Sequence, residues 1–285
     1  MKNLSLDEIK NTELNVLKVI DKICDENNIK YSLFGGSAIG GVRHHGFIPW
    51  DDDIDIMILR KDYEKLLNIF QKHNNNINNC MFMDATIQKD YNYVWGKVVN
   101  LNTTAKETGI RKIENYGVFV DIFPIDKIPE NIKERLRFYK RLRRRNQIIN
   151  LCIYDKQISN NKIKLYIKKF IAVFLAFIDL HKFVLKTIDL MKKYNHTNSK
   201  KYSMLHIRTA INEKIVYDET ELAEIIKIPF EDTKISIYKE YDRMLKKRFG
   251  NYMALPPIEE RKSGHNWEYI KYNNEIWGNE NYDKK

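Results

Sequence analysis

Asp53 and Asp55 stand two residues apart at the start of the apolar run Ile54 to Leu59. In an extended strand, residues i and i+2 share a face with their Cα atoms roughly 7 Å apart. Two carboxylates so placed can grip a hard divalent cation, Mg²⁺ or Mn²⁺, and leave coordination positions open for phosphate oxygens. A bound dication also offsets the repulsion among Asp51, Asp52, Asp53 and Asp55. Upstream, Gly35-Gly36-Ser37 forms a small-residue turn that can offer backbone N–H groups and a hydroxyl to a phosphate. A third acid suits a two-metal site. Asp121 fits, because a lone carboxylate among Val118, Phe119, Val120, Ile122 and Phe123 is costly to bury unless something compensates it. Asp126, just past Pro124, is expected at a turn or helix cap. The spacing Asp51-x-Asp53-x-Asp55 also begins like a calcium EF-hand loop, but that motif needs Gly next and Glu at its twelfth position. Ile56 and Asp62 stand there instead, which excludes it.

The elements that must position these groups are legible in outline. Ser5-Leu-Asp-Glu8 reads as a capping box, and helical spacing of Leu6, Ile9, Leu14, Leu17, Ile20 and Ile23 predicts a first helix to about Glu26. Tyr31 to Phe34 is a short strand broken by Gly35, Gly36 and Ser37, with a short helix over Ala38 to His44. Asp53 to Leu59 alternates, Ile54, Ile56 and Ile58 pointing one way and Asp53, Asp55 and Met57 the other. Lys61 to Phe70 is a second helix, and Tyr93 to Val99 and Gly117 to Phe123 are further strands. After Pro129 the pattern to Tyr194 is helical and basic. Tyr217 to Tyr252 is amphipathic and stops at Gly250, and the stretch from Leu255 to His265 is extended and fixed by prolines.

Charge is concentrated. Between Asn131 and Phe170 lie Lys133, Arg135, Arg137, Lys140, Arg141, Arg143, Arg144, Arg145, Lys156, Lys162, Lys164, Lys168 and Lys169, opposed only by Glu134 and Asp155. This segment carries the whole net charge of +11 of the 285-residue chain, so its field should face something anionic. It adjoins the apolar run Phe170 to Ile178, a pairing that suits an interfacial helix near anionic lipid; a buried helix with a solvated basic face is the plainer alternative. That run is far short of the roughly 20 residues of a transmembrane helix. The N-terminus lacks the apolar core of a secretory signal. Cys24, Cys80 and Cys152 have neither disulfide-framework nor zinc-site spacing, which points to a reducing cytoplasm.

Gly-Gly-Ser, a spacer and Asp53-Ile-Asp55, with Asp121 as a later third acid, resemble the nucleotidyltransferase superfamily signature. The finer resemblance is to the LicD family, whose hallmark is similar to Gly40-Gly-Val-Arg-His-His-Gly-Phe-Ile-Pro-Trp-Asp-Asp-Asp-Ile-Asp55. The stretches 116–126 and 248–257 are also family-like, so the resemblance runs from about Tyr31 to His265. Ala38, Gly41 and His45 are mild departures, His45 standing where Lys is frequent. The resemblance implies transfer of phosphocholine from CDP-choline, or of a similar alcohol phosphate from a CDP-alcohol, to a sugar hydroxyl of teichoic acid, lipopolysaccharide or another cell-surface glycan precursor, with release of CMP. It implies that Asp53, Asp55 and Asp121 act at the reacting phosphate and hold Mg²⁺ or Mn²⁺. Gly35, Gly36 and Ser37 are then expected at the diphosphate, with Arg43, His44 and Lys97 as further phosphate-side groups; pairing of Arg43 with Asp51 or Asp52 is the structural alternative. A choline donor also needs aromatic faces, and Trp50, Tyr91, Tyr93, Trp95 and Phe123 are near in sequence.

The expected fold is α/β, a nucleotidyltransferase-type mixed sheet flanked by helices. A catalytic core over 1–129 is expected to carry a mainly helical, basic C-terminal part over 130–285 that faces the acceptor or a membrane. Expected partners are the CDP-alcohol, a glycan acceptor that can be lipid-linked, and an anionic membrane touched peripherally from the cytoplasm; nucleic acid is not among them. Two other readings stand beside this one. One is an NTP-dependent nucleotidyltransferase, such as an antibiotic-modifying enzyme, which the segment Arg43 to Asp55 disfavours. The other is a nucleic-acid-binding protein on a retired fold, which the three intact acids disfavour.

Overall fold

The computed structural model describes residues 3–153, 179–206 and 213–273. The apolar run Phe170 to Ile178 and the basic residues from Lys156 to Lys169 lie outside them. The chain opens with α1 (Leu6–Glu26), and the capping box is formed: the Ser5 hydroxyl accepts from Glu8 N–H while the Glu8 carboxylate accepts from Ser5 N–H. Then follow β1 (Tyr31–Leu33), α2 (Gly35–His44), β2 (Ile54–Leu59), α3 (Arg60–Lys72), β3 (Cys80–Met83), β4 (Gly96–Asn100), β5 (Thr103–Glu107) and β6 (Phe119–Lys127). Next come α4 (Ile132–Ile153), α5 (Leu180–Met191), β7 (Lys201–Met204), β8 (Val216–Asp218), β9 (Ile225–Phe230), β10 (Thr233–Tyr238), α6 (Tyr241–Phe249) and β11 (Trp267–Tyr272).

The central sheet is mixed, in the order β1-β2-β6-β4-β3, with β7 and β8 continuing from the far end of β6. β2 and β6 run parallel, and the other pairs are antiparallel. Both faces of the β2–β6 pair are covered, as expected of parallel strands. Ile54, Ile56 and Ile58 pack in one cluster with Leu17, Ile20 and Ile23 of α1 and Leu66 and Phe70 of α3. Met57 and Phe123 of the opposite face pack with Phe34, Met204 and Tyr238. A further cluster seats α4, through Phe138, Leu142 and Ile149, against Val184, Ile188 and Met191 of α5 and against Phe119 and Val99.

Three expectations need correction. The glycine turn is not a break before a helix: α2 starts at Gly35 itself, so all three residues lie in its first turn. The part after Pro129 is less helical than composition suggests; β7 to β11 all come from it, and β7 pairs directly with β6. Lysines scattered through these strands masked their alternation. Asp126 is no turn residue but a member of β6, fully buried, with Arg60 Nε and Nη2 on its two oxygens at 2.9 and 2.7 Å and Asn195 Nδ2 at 2.7 Å. Pro124 sits within the strand where its partner changes, the pairing with β4 ending at Ile122 and that with β7 starting at Ile125.

Candidate active site

Register brings the chemistry together. Asp55 of β2 is directly opposite Asp121 of β6, and Asp121 is directly opposite Lys97 of β4. The result is one row of side chains across three strands on one face, carboxylate, carboxylate, ammonium. Lys97 Nζ and Trp95 Nε1 both donate to Asp121 Oδ1, each at 2.7 Å, which leaves Oδ2 for another partner. Lys97 is itself buried and lies 3.3 Å from the centre of the Phe119 ring. Its contribution is to compensate Asp121, the compensation that a buried acid in an apolar strand requires. Among the described residues no donor sits on the Asp55 carboxylate, and burial, then the charges of Asp53 and Asp121, raise it well above the usual carboxylate range.

The approach to this row is shaped by α2. Gly35 has φ of +59°, and a Cβ there would lie 3.3 Å from Asp55 Oδ2. Glycine therefore satisfies both the backbone and the close approach of the carboxylate. A Cβ on Gly36 would meet Asp51 Oδ2 at 2.6 Å. The Ser37 hydroxyl is occupied: it accepts from Asp55 N–H at 2.8 Å and donates to Asp53 C=O at 3.4 Å, clamping the start of β2. Its role in the structure is thus to position the two aspartates.

The acids before β2 differ from one another. Burial opposes ionisation of Asp52, but hydrogen bonds from His265, Ser263 and Gly264 outweigh it and bring its carboxyl down to about 2. Gly264 N–H donates to Oδ1 at 3.1 Å and Trp267 Nε1 to Oδ2 at 3.3 Å, so Asp52 anchors the returning C-terminal stretch. Asp51 is pushed up to about 7 by burial and then by the charge and hydrogen bond of Asp53. Asp53 is raised by burial and by Asp121, against the opposing effect of His265. His265 Nδ1 lies 3.4 Å from Asp52 and 3.9 Å from Asp53, its ring stacked on Trp267.

A cleft of about 190 Å³ opens on this face. Its acidic wall is Asp53, Asp55, Asp121 and Glu107; its aromatic wall is Phe34, Tyr93, Trp95 and Phe123. Trp95 is 4.8 Å from Tyr93 and 5.7 Å from both Phe123 and His206, centre to centre. Arg248 enters from α6, its guanidinium 4.2 Å above the Phe34 ring and one buried Nη1 without a hydrogen-bond partner among the described residues.

Several expected residues are elsewhere. Arg43 meets neither the cleft nor Asp51 and Asp52: Nη1 donates to the carbonyls of Tyr252 and Ala254, and Nε to His44 Nε2. Trp50 lies under Arg261, and Tyr91 is fully buried, so neither lines the cleft. Asp53, Asp55 and Asp121 border one cleft but are not a tight trio. Among the described residues the three acids whose oxygens fall within 4.8 Å of one another are Asp51, Asp52 and Asp53. Sequence reasoning passed over Arg248, His206 and His265. Arg248 looked like a helix-stop residue, and nothing local to His265 marks it as a neighbour of Asp52.

Residues 28–150 match the family described as LicD/FKTN/FKRP, nucleotidyltransferase domain. Residues 28–150 thus carry a LicD-family domain, and nearly the whole chain is similar to "Lipopolysaccharide cholinephosphotransferase LicD" of Haemophilus influenzae. The two are 28% identical over 267 residues, 93% of this chain and 97% of the relative. An uncharacterised protein of Rickettsia prowazekii is 28% identical over 116 residues, 41% of this chain and 40% of that one. Another from Rickettsia typhi is 38% identical over 60 residues, 20% of this chain and 19% of that one.

Proposed function

We propose that this protein transfers phosphocholine, or a similar alcohol phosphate, from a CDP-alcohol to a sugar hydroxyl of a cell-surface glycan precursor and releases CMP. The observation that carries the reading is the cleft in which an acidic row and an aromatic wall face each other. A quaternary ammonium group is attracted by aromatic faces and by nearby carboxylates. Trp95, Tyr93 and Phe123 are the groups to receive it. The named activity of the Haemophilus relative, which aligns along nearly its whole length, points the same way.

The donor set fits a hard divalent metal. It consists of carboxylate oxygens, Asp55 lacks any donor among the described residues, and the charge of Asp121 helps to raise both Asp53 and Asp55. Asp53, Asp55 and Asp121 would hold Mg²⁺ or Mn²⁺, which when bound neutralises charge on the transferring phosphoryl group. The chain's own residues do the rest. Ser37 and Gly35 fix the position of Asp55. Arg248, whose Nη1 has no hydrogen-bond partner among the described residues, takes the phosphate-side role first expected of Arg43. Lys97 and Trp95 hold Asp121 by Oδ1, which leaves Oδ2 as its metal-side oxygen.

The test is incubation of the protein with Mg²⁺, a lipopolysaccharide acceptor and CDP-choline labelled in its methyl groups. Label should appear on the acceptor in step with CMP. CDP-ethanolamine, CDP-glycerol and CDP-ribitol run in parallel identify the alcohol. No CMP from any CDP-alcohol, or nucleotide rather than alcohol phosphate on the acceptor, would remove the reading.

A further inference from the structure

Among the described residues nothing packs on the outer face of α4. Lys133, Arg137, Lys140, Arg141, Arg143 and Arg144 are all exposed, and among the described residues none of them pairs with a carboxylate. Residues at these spacings fall within one half of a helical circumference. The opposite half is buried, through Phe138, Leu142, Asn146 and Ile149. The single acid of α4, Glu134, is engaged by the Tyr194 hydroxyl at 2.8 Å. Three apolar side chains stand out on the cationic face: Ile132, Leu136 and Leu151, at 60%, 56% and 43% exposure. Cations seldom collect unopposed on a folded surface unless something anionic meets them. Exposed Leu and Ile among them add nothing to contact with a phosphate backbone but do partition into a lipid interface.

We infer that this face of α4 seats the protein on an anionic membrane surface. The cations meet lipid phosphates, and Ile132, Leu136 and Leu151 enter the boundary between headgroups and chains. Nucleic acid is disfavoured by what the face lacks: the aromatics of α4, Phe138 and Tyr139, are buried, so no ring is offered for base stacking. The placement has a consequence for catalysis. Asn150 and Ile153, at the other end of the same helix, line the cleft. The helix that meets the membrane thus also borders the cleft. The inference concerns where the protein sits and stands apart from which alcohol the donor carries.

The experiment is sedimentation of the full chain with vesicles of phosphatidylcholine alone or with about one-third phosphatidylglycerol, at low and high salt. Wild type should sediment with the anionic vesicles only and be released as salt rises. Replacing Arg137, Lys140, Arg141 and Arg144 by Gln should lower partitioning by roughly 100-fold or more, since each cation near the surface adds attraction. A control variant with Lys61, Lys72, Lys89 and Lys234 changed to Gln carries the same net charge and should keep most of the binding. Melting curves establish that both variants fold, and CMP release from soluble CDP-choline should be the same in wild type and the α4 variant. Three results would overturn the inference: no sedimentation, equal sedimentation with neutral vesicles, or an α4 variant that binds like wild type. Tighter binding to single-stranded RNA, with RNA stripping protein from vesicles, would assign the face to nucleic acid instead.

Discussion

Asp121 and Asp126 sit on the same strand, both buried and both paired with a cation, yet their surroundings differ in kind. Asp126 has each oxygen filled, by Arg60 in two-point contact and by Asn195, and is wholly inaccessible. Asp121 receives both of its donors on Oδ1, adjoins a second carboxylate across the sheet, and borders the cleft. A carboxylate whose acceptor capacity is exhausted by the protein holds the fold. One with an oxygen to spare, beside other acids, holds something else. Burial and charge pairing alone do not separate the two cases; remaining valence and like-charged neighbours do.

That contrast can be broken or sharpened by substitution. Asp55→Asn is the cleanest probe of the cleft, because it removes a charge and strands no lysine. It should cut CMP release at least ~1000-fold, the range seen when a group stabilising transition-state charge is lost. In EDTA its melting temperature should be equal to or above wild type, since a like charge is relieved. A large loss of stability would mean Asp55 is structural after all. At the other site, Arg60→Met leaves Asp126 buried and unpaired and should cost about 3–5 kcal/mol of stability by denaturant titration. Activity per folded molecule should stay within a few-fold of wild type.

Smaller effects refine the picture. Gly35→Ala forces a Cβ into positive φ and against Asp55, and should cost about 1–2 kcal/mol together with roughly a tenfold loss of turnover. Trp95→Leu removes the central ring of the aromatic wall and one of the two donors to Asp121. KM for CDP-choline should rise roughly tenfold, and by more than KM for CDP-glycerol, whose alcohol is uncharged. An equal change for both donors would show that Trp95 acts only through Asp121.

What could be read from sequence follows the range of the interactions. Capping at Ser5 and Glu8, the alternation of β2 and the apolar setting of Asp121 are local, and all appear where expected. The pairing of Asp55 with Asp121 depends on strand order, which the family resemblance suggested and local pattern could not. Arg43 and Trp50 stand close in sequence to the acids yet face away from the cleft, held by residues from 252 to 261. Arg248 and His265, some two hundred residues downstream by numbering, complete the site instead. Nothing in their immediate sequence reports that the chain returns there. The error over Asp126 has the same origin, because its partner Arg60 comes from a different element.

On the proposed function, the chemistry lies where β2 and β6 set their acids against the aromatic wall. A crystal grown with CDP-choline and Mn²⁺, with data collected at the manganese edge, tests it most directly. Anomalous density against Asp53, Asp55 and Asp121, with the choline headgroup beside Trp95, is the expected result. Metal and donor bound away from these residues, or a cleft that stays empty while the crystals turn over CDP-choline, would contradict the account.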